Sequence, residues 1–130
     1  MRVLVADDHT GFRHALVTTL GLVNGLEVAG EAADGPAAIR QVAALAPDVV
    51  LMDLSMPGIS GIEAMLEIHR TSPGLPVFIL TAHADPAIER EAFARGAAGF
   101  IAKGGGLQEL VDHLLGAMDP VTGELAVGDS

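Results

Sequence analysis

The feature that most constrains this chain is a change of period that repeats along it. Short apolar runs rich in β-branched residues alternate with stretches whose apolar residues recur every three or four positions. Three of the runs, Val3-Leu4-Val5-Ala6, Val49-Val50-Leu51-Met52 and Val77-Phe78-Ile79-Leu80, contain no polar residue. A sheet with one wet face would alternate apolar and polar residues, so these runs read as parallel strands covered on both faces. Two further strands are predicted over Glu27 to Glu31 and Gly99 to Ala102, the first flanked by glutamates and so expected at a sheet edge.

The intervening stretches predict five helices. Their apolar stripes are Phe12, Ala15, Leu16, Thr19, Leu20 and Val23 in the first, and Ala38, Ile39, Val42, Ala43 and Ala46 in the second. The third stripe is Ile62, Met65, Leu66 and His69, preceded by Ser60-Gly61-Ile62-Glu63, the spacing of a reciprocal N-terminal cap. A fourth helix opens at Asp85-Pro86 with a thin stripe of Ile88, Ala92 and Phe93. The fifth carries Leu107, Leu110, Val111, Leu114, Leu115 and Met118. Strand and helix in strict alternation define an α/β domain over residues 1 to 118. Residues 119 to 130, acidic and Gly- and Pro-containing without periodicity, read as a tail or the start of a linker.

A chain of 130 residues supports one core, and 50% hydrophobic content against 18% charged residues excludes wholesale disorder. The formal charge of -10 repels phosphate backbones and anionic lipids, so DNA binding by this chain alone is not expected. With no cysteine there is no thiolate metal site, disulfide or thiol nucleophile, and any metal must sit on oxygen or imidazole. Asp7-Asp8 follows the first apolar run too soon for a signal peptide, and no run approaches the ~20 apolar residues that cross a bilayer; a soluble cytoplasmic protein is the expectation.

Five βα units with right-handed crossovers give an open, doubly wound sheet, whose ligand site lies outside the carboxyl ends of the strands where the strand order reverses. The residues just past the strands are Asp7-Asp8, Asp53, Thr81-Ala82 and Lys103. In the order 2-1-3-4-5 the first and third strands are neighbours, and three carboxylates would converge. Such a cluster must either take up protons or hold a cation. Magnesium suits it best, because it takes one or two carboxylates, keeps waters and shares phosphate oxygens. Asp53 could then attack phosphorus as a nucleophile, Lys103 could neutralise the transferring group, and the Thr81 hydroxyl could bond it on arrival, with Ala82 leaving that space open.

Asp7-Asp8, the run Asp53-Leu54-Ser55-Met56-Pro57-Gly58-Ile59-Ser60-Gly61, Thr81-Ala82 and Phe100-Ile101-Ala102-Lys103 together resemble the receiver domain of two-component response regulators. Asp7-Asp8-His9 with Arg13, and Glu31-Ala32-Ala33-Asp34-Gly35, resemble the NarL/FixJ type, whose members usually carry a C-terminal helix-turn-helix. The resemblance implies a flavodoxin-like (βα)5 fold with a five-stranded parallel sheet in the order 2-1-3-4-5. It implies phosphoryl transfer to Asp53 from a sensor histidine kinase or a small acyl phosphate. Magnesium would sit on Asp8, Asp53 and the Ser55 carbonyl, with Asp7 acting through water. Thr81 would draw toward the phosphate while Phe100 turns inward. The switched surface of the fourth helix and fifth strand would then control an output, expected to be transcription, through a domain this chain does not contain. Homodimerisation on phosphorylation, through the first and fifth helices or through the fourth helix and fifth strand, is a further expectation. No catalysis is expected beyond acceptance and loss of its own phosphoryl group.

Each residue also has a plainer reading. Asp7-Asp8 could be a solvated strand end, Asp53 a turn or cap, Thr81 a strand-end β-branched residue and Phe100 simply core. His83, two residues past Thr81, could tune phosphate lifetime or be a surface loop residue. Gly104-Gly105-Gly106 lacks the spacing of a nucleotide-binding loop. Standing where many receivers have proline, it is expected to loosen the aim of Lys103. That looseness is the sequence's one argument for a phosphorylation-independent interaction module. A phosphatase of the haloacid dehalogenase type would want a second aspartate at the position of Ser55.

Overall fold

A computed structural model of the chain describes residues 1–117. Its strands are β1 (Arg2–Ala6), β2 (Glu27–Ala32), β3 (Val49–Asp53), β4 (Val77–Thr81) and β5 (Gly99–Ala102), and its helices α1 (Thr10–Gly21), α2 (Gly35–Leu45), α3 (Gly61–Thr71), α4 (Pro86–Ala94) and α5 (Leu107–Ala117). The sheet order is β2-β1-β3-β4-β5 and every pairing is parallel, which is the doubly wound order expected. Met118 and the stretch 119–130, read above as helix end and tail, lie outside the described residues.

Alternation along the strands divides the core in two. Leu4, Ala6, Val50, Met52 and Ile79 face α2, α3 and α4, packing with Val42, Ile62, Met65, Ile68 and Ala92. Val3, Val5, Leu51, Phe78 and Leu80 face α1 and α5, packing with Leu16, Leu20, Leu110, Val111 and Leu114. All ten of these strand residues are fully buried, which explains why their sequence shows continuous apolar runs. β2 lies at the edge with its register against β1 shifted between Val3 and Leu4, an irregularity that fits its mixed composition.

Helix starts follow their caps. Ser60 accepts from the main-chain N–H of Glu63 at 3.1 Å while the Glu63 carboxylate accepts from that of Ser60 at 3.0 Å. Asp34 and Asp85 cap α2 and α4, each followed within two residues by proline.

The stripes need four corrections. Ala43 is exposed, and Ala46 ends α2 in the left-handed region at φ 47° rather than extending its buried face. In α3, Ala64 and Ile68 join Ile62 and Met65 on the buried face and leave Leu66 and His69 half-buried at its margin. Phe93 is 47% exposed, so α4 is anchored chiefly by Ala92 and Ile88. Leu115 sits at the margin of α5 and is exposed. Among the described residues no helix is long and apolar enough to cross a membrane.

Candidate functional site

The strands end nearly flush. Ala6 pairs with Met52, Asp53 with Leu80 and Thr81 with Ala102, so the residues at or just past these positions share one rim of the sheet. Asp53 and Thr81 close their strands rather than follow them. Asp7, Asp53 and Thr81 are the buried polar residues of the described chain, at 0%, 4% and 4% exposure.

Lys103 ties this rim together across the sheet. Its ammonium donates to Asp7 Oδ2 at 2.6 Å and lies 3.2 Å from Asp53 Oδ1. The expected looseness of its loop does not appear: Lys103–Gly105 form a 3-10 turn closed by the Gly106 N–H on the Lys103 carbonyl at 3.1 Å. Gly106 holds φ 90°, a conformation open to glycine, and α5 starts directly after it. The glycines thus shape a tight turn, and Lys103 is held by what its ammonium touches.

Asp7 is fixed at both oxygens, because Oδ1 accepts from the His9 main-chain N–H at 2.8 Å. Arg13 steadies the same segment, donating to the Asp7 carbonyl at 2.6 Å and to Glu31 at 3.0 Å. Asp8 is exposed and, with Ser55, lines a groove of about 920 Å³ running from the rim between the β3–α3 loop and α4, past Met56, Ile62, Ile88 and Arg95. Asp53 is locked from behind: Leu54 N–H donates to the Leu80 carbonyl at 2.7 Å and Gly61 N–H to the Leu54 carbonyl at 2.8 Å. A Cβ at Gly61 would strike the Asp53 carbonyl oxygen, so the close approach of α3 to β3 requires glycine there.

Burial pushes the Asp53 carboxyl up from 3.8 to about 6; Lys103 pulls it down, while the charge of Asp7 and a hydrogen bond with Asp8 raise it. Asp7 and Asp53 share one ammonium and Asp8 adds a third carboxylate beside Asp53, so the cluster carries more formal negative charge than Lys103 offsets. Its donors are oxygens beside an open groove, a set that fits a hard divalent cation retaining water.

The other predicted residues divide. The Thr81 hydroxyl donates to the His83 carbonyl at 2.9 Å and accepts from the His83 N–H at 3.3 Å, so it is turned to its own loop. His83 meets Thr81 through its main chain, and its side chain is exposed like Ala82. Phe100 is already inward, 8% exposed in the core beside α4. Two neighbours were not read as site residues. His9 brings a ring nitrogen within 4.8 Å of a carboxylate oxygen of each of Asp7 and Asp8. Phe12 lies with its ring centroid 4.6 Å from the Lys103 ammonium. Their only signal was position, at the start of the helix that follows the acidic pair.

Residues 3–115 match the family model described as the response regulator receiver domain. The chain belongs to that family. This receiver is 40% identical over 114 residues to the response regulator GacA of Pseudomonas viridiflava, an alignment covering 88% of this chain and 53% of that one. Among solved structures it resembles the signal receiver domain of the putative response regulator NarL from Mycobacterium tuberculosis, with TM-score 0.80, 40% identity, and coverage of 88% of this chain and 93% of that one. It also resembles a LuxR-family two-component response regulator from Aurantimonas sp. SI85-9A1, with TM-score 0.86, 32% identity, and coverage of 98% and 89%. The receiver spans about half the length of the curated relatives it matches.

Proposed function

We propose that this receiver accepts a phosphoryl group on Asp53 from a sensor histidine kinase and thereby controls an output, transcription being the output that the relatives' kinship with LuxR-family regulators favours. The single observation that carries the reading is the Lys103 ammonium held between Asp7 and Asp53 at 2.6 and 3.2 Å, at the sheet's switch point. In the transfer a carboxylate oxygen of Asp53 forms a bond to phosphorus as the bond from phosphorus to the donor imidazole nitrogen breaks, and the donor leaves with its electron pair. Lys103 sits where it can follow the charge onto the phosphoryl oxygens. Magnesium on Asp8, Asp53 and the Ser55 carbonyl, with Asp7 acting through water, would neutralise the rest of that charge.

Asp7 suits the indirect role because both its oxygens are engaged, and Asp8 suits the direct one because it is exposed. Thr81 would exchange its bond to the His83 carbonyl for one to the phosphoryl group, altering the β4–α4 loop and the α4–β5 surface beside it. Phe100 is inward in this structure, the position that the switch reading gives it when Thr81 has drawn toward the phosphoryl group. Loss of the phosphoryl group by hydrolysis would reset the switch, with exposed His83 positioned to affect its rate. The Lys103 ammonium held between Asp7 and Asp53 supports the phosphoacceptor reading over a phosphorylation-independent interaction module.

Incubating the protein with magnesium and acetyl phosphate and weighing it by intact-mass spectrometry tests this. The wild type should gain one phosphoryl group and Asp53→Ala none. A wild type that gains nothing, or an alanine variant that gains the same group, would overturn the reading.

A further inference from the structure

We infer that Phe12 is a positioning residue for Lys103, its ring face holding the ammonium over the carboxylate pair. The ammonium has two anionic partners, Asp7 and Asp53, and its third neighbour is the ring of Phe12, centroid at 4.6 Å. That distance lies within the roughly 6 Å over which a cation is drawn to an aromatic face, and the lysine side chain is only 13% exposed, where water screens the attraction little. The 3-10 turn of Lys103–Gly105 shapes the main chain after the lysine, and the ammonium itself is placed by the groups it touches, Asp7, Asp53 and the Phe12 ring. Phe12 itself is anchored, packing half-buried against the core of the α1 and α5 face. Arg13, next to it, binds the Asp7 carbonyl, so the first turn of α1 holds both ends of the Lys103–Asp7 pair. A leucine at position 12 would fill much of the space without offering a face of negative potential.

The inference rests on the phosphoacceptor reading for its role in transfer, and on geometry alone for the placement of the ammonium. Its test replaces Phe12 by ring-fluorinated phenylalanines of increasing fluorine count, which keep the shape and drain the face, and by Leu and Tyr. With saturating acetyl phosphate and magnesium, the rate of Asp53 phosphorylation should fall stepwise with fluorination, reach a loss of roughly fivefold in Phe12→Leu and return toward wild type in Phe12→Tyr. A rate indifferent to fluorine count, while Asp53 is still phosphorylated, would overturn the inference even if Phe12→Leu is slow, because that loss would then be packing.

Proton NMR of the metal-free protein supplies a readout that needs no phosphate. The Lys103 ε-methylene signals should be displaced upfield by the ring and revert in Phe12→Leu. Undisplaced signals would overturn the placement. If the wild type takes no phosphate at Asp53, the proposed function fails, and the methylene shifts alone decide whether Phe12 holds the lysine.

Discussion

Replacing Asp53 by asparagine should make the metal-free protein more stable at neutral pH. The carboxyl titrates at 3.8 when exposed and at about 6 in the fold, raised first by burial and opposed by Lys103. Each tenfold change in proton affinity is worth about 1.4 kcal/mol, so the ionised side chain costs the fold about 3 kcal/mol relative to its neutral form. At 4% exposure solvent screening removes little of this. The sign follows from linkage. The folded state binds the proton more tightly than the unfolded state, so Asp53 is without cost below 3.8, and stability is lost as pH rises through about 6. Asparagine is neutral throughout and can still accept from Lys103.

The assay is urea unfolding followed by far-UV circular dichroism, since the chain has neither Trp nor Tyr, with a chelator present. Asp53→Asn should exceed wild type by about 2–3 kcal/mol above the folded pKa, and the gap should close as the pH falls toward that of a free carboxyl. An asparagine variant no more stable than wild type at neutral pH, or a gap unchanged by acid, would refute the reasoning.

Arg13→Ala removes a 13% exposed guanidinium bonded to the Asp7 carbonyl and Glu31, and should lower unfolding free energy by about 1–3 kcal/mol in the same denaturation experiment. Gly61→Ala drives a methyl into the Asp53 carbonyl and should cost about 1–3 kcal/mol while slowing phosphorylation; an unperturbed variant would show that α3 can withdraw freely. Magnesium at ten times its dissociation constant should stabilise the wild type by about 1.4 kcal/mol in thermal unfolding, and Asp8→Asn should largely abolish that gain.

The sheet was legible because its strands are buried on both faces, which leaves uninterrupted runs such as Val77 to Leu80 that few other folds need. The site was legible because one topological rule projects residues far apart in sequence onto a single rim: Asp7 and Lys103 are separated by 96 positions yet share a hydrogen bond. Helix margins were harder. Phe93 and Leu115 obey helical spacing but face outward, because periodicity fixes which residues share a face and not where the sheet ends beneath them. Phe12 was read as one member of an apolar stripe, and nothing in its spacing distinguishes a ring that only packs from one that also faces an ammonium. The local freedom of the glycines after Lys103 is visible in sequence, whereas the partners that hold the ammonium, Phe12 in α1, Asp7 just past β1 and Asp53 at the end of β3, are brought to it only by the fold.

The account stands or falls on which atom receives phosphorus. Protein treated with acetyl phosphate and magnesium can be reduced with borohydride, which converts an aspartyl phosphate to homoserine, then digested and sequenced by mass spectrometry. Homoserine at position 53, absent when magnesium is chelated, is the predicted result. Homoserine at Asp7 or Asp8 instead, or none anywhere, would contradict it.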